Sequence, residues 1–300
     1  MINKLLNTDA GLEHAKSLAD EVQRFPFGDV AVFFGKSEPD KSLLIATHTD
    51  KPTLVCSEIL NDGTARASLL GKLNAKSCAN AFTASERGTH AVMSVTDSAD
   101  APVFYLDFGT ESKADSEKRV SVGDVFHFDG QIRALADNSV CGFGISFTAS
   151  ALALITLCEI LAENRPDITV YAAFIKEGSF SFSGYAPAAL KLNPSSAVCI
   201  GAVDVSDAPN IKLGMGAAVR LSDKSYGSDK HMSDALIDAG GVPAVLTKGS
   251  CAASKIQAAG VPASELDIPA KHLETNTEII NLDDIYRCAE ILRGICRKNP

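Results

Sequence analysis

Leu43-Leu-Ile-Ala-Thr-His48-Thr-Asp50 is a strand-length apolar run that stops on a His-x-Asp triplet. The same design recurs further along. Val170-Tyr-Ala-Ala-Phe-Ile-Lys176-Glu177 ends on Lys-Glu, and Val198-Cys-Ile-Gly-Ala-Val-Asp204 ends on an aspartate. The last strand runs into Ile268-Pro-Ala-Lys-His272-Leu-Glu274. Helical patterns lie between these runs, at Tyr185–Leu192, Asp229–Ala239, near Ala252–Ala259 and at Leu282–Ile295. A long apolar helix is predicted from about Val140 to Ala162, just after Ala134-Leu-Ala-Asp137-Asn138. Strands alternating with helices imply an α/β fold with a largely parallel sheet covered on both faces.

The texture differs in the first half. An amphipathic helix is expected over Asp9 to Arg24, then strands at Val30–Phe34 and Leu43–Thr47. From about residue 52 to 128, short alternating runs are separated by turns: Thr53–Leu60, Asn61-Asp-Gly63, Ala65–Leu70, Ala79–Thr83, His90–Val95 and Val103–Asp107. One short helical pattern, Glu111–Lys118, interrupts them. This spacing predicts a small β-barrel-like unit, residues 52–128, inserted into a discontinuous α/β domain formed by 1–51 and 129–300.

Bulk properties narrow the function. The 300 residues are 46% apolar, enough for a sizeable core, and carry a formal net charge of -9. No Lys/Arg-rich stripe offsets that charge, so nucleic acid is not an expected partner. No apolar run reads as long enough to span a bilayer, and Met1 to Leu12 lacks the apolar core of a signal peptide. The eight cysteines form no CxxC pair and sit in apolar strings, as reduced core thiols of a cytoplasmic protein would.

In open α/β sheets, sites gather at the carboxyl ends of strands. His48, Asp137, Glu177, Asp204 and Glu274 all follow apolar runs there. One imidazole with several carboxylates suits Zn²⁺, Mn²⁺ or Co²⁺. Asp50 is spaced to take the second ring N–H of a metal-bound His48. Each residue also has a structural reading. His48 could end a strand at the surface, Asp137 could cap a helix, Asp204 could serve a turn, and Glu177 before Gly178 could be solvated.

The order of motifs resembles the glutamyl-aminopeptidase and tetrahedral-aminopeptidase family of co-catalytic metallopeptidases, some of which are labelled endoglucanases. His48-Thr-Asp50 resembles its His-Met-Asp, and Ala134-Leu-Ala-Asp137-Asn138 its Ala-Leu-Asp-Asp-Arg. Ala202-Val-Asp204-Val205 resembles Val-Asp-Val, and Leu213-Gly-Met-Gly216 resembles Leu-Gly-Lys-Gly. Ile268 to Glu278 resembles Ile-Pro-Thr-Arg-Tyr-Ile-His-Ser-Pro-Val-Glu. The resemblance implies a phosphorylase/hydrolase-like mixed sheet, one or two divalent ions, a small peptide or amide substrate, and a homo-oligomer. It assigns His48, Asp137, Asp204 and Glu274 to metal, with Asp137 bridging, and gives Glu177 the role of general base.

Three departures bear on that assignment. The Asp-Asp pair is Ala136-Asp137 or, shifted by one, Asp137-Asn138. The Glu-Glu pair is Lys176-Glu177 or Glu177-Gly178, and the last metal-binding His is Glu274. Gly249-Ser-Cys251-Ala also stands where the family has Gly-Thr-Asp-Ala. Two readings follow. One is a metal-dependent aminopeptidase-like hydrolase of small peptides or acylated amino acids. The other is a degenerate relative that binds a ligand or serves assembly, with the Lys176 ammonium where an ion once sat.

Overall fold

In the computed structural model, which describes residues 8–25, 30–35, 41–96, 101–176, 184–249 and 251–297, the strand Ser42–His48 is buried along its whole length. Leu43 and Ile45 face one core while Leu44 and Ala46 face the other, so the strand is covered on both sides.

In chain order, helix α1 (Thr8–Leu18) leads into β1 (Glu21–Arg24), β2 (Val30–Phe34) and β3 (Ser42–His48). Next come β4 (Thr53–Ile59), β5 (Ala65–Leu70), β6 (Phe82–Ser85), β7 (His90–Thr96) and β8 (Val103–Asp107). A one-turn helix α2 (Lys113–Ser116) precedes β9 (Val125–Phe128), β10 (Arg133–Ala134) and β11 (Ser139–Gly142). Then follow α3 (Ile145–Glu163), β12 (Thr169–Ile175), α4 (Tyr185–Leu192), β13 (Ser196–Asp204), β14 (Ala218–Asp223) and β15 (Tyr226–Gly227). The chain finishes with α5 (Lys230–Asp238), β16 (Val242–Val245), α6 (Ala253–Ala258), β17 (Ala263–Lys271), β18 (Glu278–Asn281) and α7 (Leu282–Arg297).

The main sheet has the order β1-β2-β12-β3-β13-β17-β18-β11-β10, with β14, β15 and β16 attached beyond β17. It is mixed rather than largely parallel. Only β12, β3, β13 and β17 run parallel in the centre, with β14–β16 a further parallel pair. The flanks are antiparallel. Helices α1, α3, α5 and α7 supply the core on one face, and α4 and α6 on the other. Strands β4-β5-β8-β7-β6-β9 close into a separate barrel around Leu54, Met93, Leu106 and Phe126. The two cores meet where Phe128 stacks on Phe143, 4.4 Å between ring centroids.

Two helix expectations are corrected. The first helix ends at Leu18, because Glu21–Arg24 pairs with the antiparallel edge of β2 instead of continuing the turn. The long helix starts at Ile145. Its expected first turn, Val140–Gly142, is a strand on β18, and Gly144 breaks the chain with φ +57°. That helix is long and apolar enough by length and composition to cross a membrane, contrary to the sequence reading. Here 78% of its apolar window is buried inside the fold. All eight cysteines are buried and unpaired with one another.

Candidate functional site

The parallel centre of the sheet sets the level of each side chain. Ile175 of β12 lies beside His48 of β3, and Cys199 of β13 beside Ala46, which brings Gly201 level with His48. Gly201 in turn pairs with Asp267 of β17. His48, Gly201 and Asp267 therefore form a row across three strands, on the face covered by α4 and α6. A cavity of about 590 Å³ opens above this row, bounded also by Ser146, Phe147 and Ser150 of α3 and by Glu274 and Glu278. Its size is that of a small-molecule site.

His48 is the last residue of β3 and is buried. Its Nδ1 stands 3.2 Å from the Tyr185 hydroxyl, and Phe147 packs edge-on at 4.9 Å between centroids. Burial holds the imidazole down to about 4, against a smaller opposing pull from Asp50. The ring is thus neutral at physiological pH. Tyr185, the buried first residue of α4, was not foreseen as an imidazole partner.

Glu278 forms the next wall. The Ser146 N–H (3.0 Å) and hydroxyl (2.7 Å) donate to one of its oxygens, and the Glu274 N–H (3.1 Å) to the other. Burial raises its carboxyl, an effect that these donors and the charge of Lys51 oppose. Lys51 is itself pushed down by burial while Glu278 and Asp9 pull it up. Glu278 therefore ties the start of α3 to the loop carrying Glu274. The Glu274 carbonyl in turn accepts from the Asn74 N–H of the barrel at 2.7 Å.

The far wall is ionic. Arg220 of β14 grips both oxygens of Asp267 through Nε and Nη2, each at 2.8 Å, and reaches Asp223 at 3.2 Å. Glu265 lies beside this fork and accepts from the Ala253 N–H at 2.9 Å. Burial, then the neighbouring Asp267, raise the Glu265 carboxyl to about 7 despite Arg220. Sequence reading passed over this group. The signal was present: two acids at alternate positions inside Ala263-Ser-Glu-Leu-Asp-Ile268, an otherwise apolar strand.

The other anticipated residues lie apart. Asp137 is not at a helix start. It occupies the exposed turn of the β10–β11 hairpin with φ +53°, and its carbonyl accepts from Asn281 Nδ2 at 2.7 Å. Glu278, at the cavity, pairs with Gly142, while Ser139 pairs with Asn281. Asp137 therefore lies beyond the opposite end of that strand pair, at least about 10 Å of strand away. Asp204 lies three residues past Gly201, again about 10 Å further along. Its carboxylate accepts from the Ser206 N–H (2.9 Å) and the Leu273 N–H (3.0 Å). Burial alone would raise it, but these donors and His272 hold it below the usual range. Glu274 lines the cavity but is exposed, with φ +63°. Asp50 is half-buried next to His48, Lys176 is exposed, and Glu177 lies outside the described residues. Cys251 is buried, and burial with the adjacent Glu265 pushes its thiol up, which removes it as a nucleophile.

A family model described as M42 glutamyl aminopeptidase matches residues 28–291. The chain belongs to the M42 glutamyl aminopeptidase family. A relative from Acetivibrio thermocellus, with a provisional aminopeptidase name, is 22% identical over 96% of this chain and 92% of its own. The aminopeptidase APDkam598 of Desulfurococcus kamchatkensis superposes with a TM-score of 0.87 at 21% identity, over 97% of this chain and 89% of that one. The Pyrococcus horikoshii TET1 peptidase, which can assemble into a tetrahedron or a large octahedral shell, gives 0.86 at 19% identity over 97% and 93%. These likenesses establish the M42 fold, with its mixed sheet and closed barrel.

Among the described residues, which leave out Glu177, the donor set does not fit a paired-metal centre. Among the described residues no group of three or more His, Cys, Asp or Glu side chains could hold an ion. His48 keeps a tyrosine at Nδ1, Asp204 is committed to backbone N–H groups, and Asp137 is on a distant turn.

Proposed function

We propose that this M42 family member keeps the aminopeptidase fold and a peptide-sized cleft, and binds small peptides or acylated amino acids without metal-assisted hydrolysis. The observation that carries this reading is the dispersal of the acids. Asp204 serves a backbone cap about 10 Å along β13 from the row that holds His48, and Asp137 serves a hairpin turn about 10 Å or more of strand from Glu278. In this reading the neutral His48, the Ser146 and Ser150 hydroxyls and the Glu278 carboxylate orient amide groups, and Phe147 covers an apolar side chain. Self-assembly belongs to the same proposal, by analogy with the shells formed by the TET1 peptidase.

Hydrolysis of aminoacyl anilides with and without Zn²⁺, Mn²⁺ or Co²⁺ tests it, together with titration calorimetry of each ion and light scattering for mass. The expected result is background turnover, no stoichiometric ion, and a multimer. Metal-dependent turnover abolished by His48→Ala would overturn it in favour of the second reading. In that reading Glu177 is the base, His48, Asp137 and Asp204 hold one ion, and Glu274 holds a second. It is supported by His48 and Glu274 lining one cavity.

A further inference from the structure

The ionic wall of the cavity has a charge imbalance that the peptide-binding reading leaves unused. One guanidinium, Arg220, faces three acids: Asp267, Asp223 and Glu265. Side-chain exposure is 6% for Arg220, 0% for Asp223 and 1% for Asp267, so water does little to relieve the excess. Asp267 occupies the guanidinium fork and Asp223 the remaining nitrogen. Glu265 is the acid left over, and it borders the cavity with Arg220, Ser225, Ser254 and the exposed Lys255. Among the described residues, the other titratable groups around it are Tyr226 on β15, Cys199 on β13 and Cys251 before α6, all pushed up by burial and so uncharged.

Gly201 opens this wall. A Cβ there would lie 2.6 Å from Glu265 Oε1 and 2.7 Å from Asp267 Oδ1, so any side chain would cover both carboxylates. With no side chain at Gly201, Glu265 borders the cavity directly. Removing an unmatched negative charge from water is costly, and a cation brought by the ligand removes that cost.

We propose that Glu265 is the anchoring carboxylate for a primary ammonium group on the ligand held in this cavity. The assignment rests on the cavity being a small-ligand site. The ammonium sits between Glu265 and the Ser225 and Ser254 hydroxyls, two strand spacings across and two residues along from His48, roughly 12 Å away. The rest of the ligand extends toward Phe147 and Glu278.

Calorimetric titration of the full chain with isopentylamine, against the neutral isopentanol, tests this. The amine is expected to bind at least about tenfold more tightly than the alcohol. Its affinity is expected to rise about tenfold between about pH 6 and about pH 8, as Glu265 gives up its proton. Near pH 6, binding releases close to one proton, read from the dependence of the heat on buffer ionisation. Glu265→Gln abolishes both the preference and the pH dependence. If that variant does not fold, the proton release of the unaltered protein decides. Equal binding of amine and alcohol, no amine binding, pH-independent affinity or an unaffected Glu265→Gln would each overturn the assignment. Metal-dependent turnover alongside the predicted amine binding would sink only the non-hydrolytic reading and leave the anchor standing.

Discussion

Arg220→Met removes the buried guanidinium from the ionic wall while keeping a similar volume. Asp267 loses two hydrogen bonds of 2.8 Å and Asp223 loses its ion pair, in a setting where both acids are almost fully buried. Breaking a buried pair by deleting one partner costs about 3–5 kcal/mol, because the remaining charge is stranded. For a chain of 300 residues each kcal/mol corresponds to about 1.6 °C, so the melting temperature should fall by roughly 5–8 °C. Urea denaturation followed by circular dichroism, with an unchanged m-value, isolates the effect on stability. Adding Asp267→Leu should recover part of the loss, since an apolar replacement of both partners is often near neutral. A loss under about 1 kcal/mol, or a second substitution that only adds to the damage, would refute the stranded-charge argument.

His48 is held at about 4 in the fold against 6.5 when unfolded, so between those values only the unfolded chain takes up the proton and stability drops as pH falls below about 6.5. His48→Gln should flatten that acid limb, and identical denaturation midpoints for both proteins near pH 4.5 and pH 7 would contradict it. Glu265 behaves oppositely. Its folded value of about 7 exceeds 4.5, so the fold binds the proton more tightly and stability declines as pH rises from about 4.5 to about 7. Glu265→Gln should remove that slope, measured by the same midpoints. Glu278→Ala strands Ser146 and Lys51 and should cost about 3–5 kcal/mol, checked by thermal melting; a change within about 0.5 kcal/mol counts against its role as a tie between α3 and the loop. Asp137→Gly, at an exposed left-handed position, should leave stability within about 0.5 kcal/mol and Mn²⁺ response unchanged, whereas loss of a measurable Mn²⁺ affinity would restore it as a ligand.

Local pattern was enough for most elements. The apolar runs of β3, β12, β13 and β17 and the amphipathic face of α7 are written in residues within one element, since burial on a sheet or helix repeats every two or every three to four positions. The change of texture at the barrel was legible for the same reason. The order of motifs also carried the family, because those motifs sit at strand ends whose sequence is contiguous.

Pairing across long loops was not legible. Val140 and Cys141 have the composition of a helix start, yet β18, almost 140 residues later, claims them as a strand and places Asp137 in the β10–β11 turn. His48 meets a tyrosine 137 residues downstream, and Arg220 an aspartate 47 residues away. The residues themselves determined the M42 fold and the set of acids and imidazoles available to a site. Which of them converge, and whether each is neutral, paired or left with excess charge, was decided only by tertiary packing, because desolvation and charge compensation depend on neighbours that are remote along the chain.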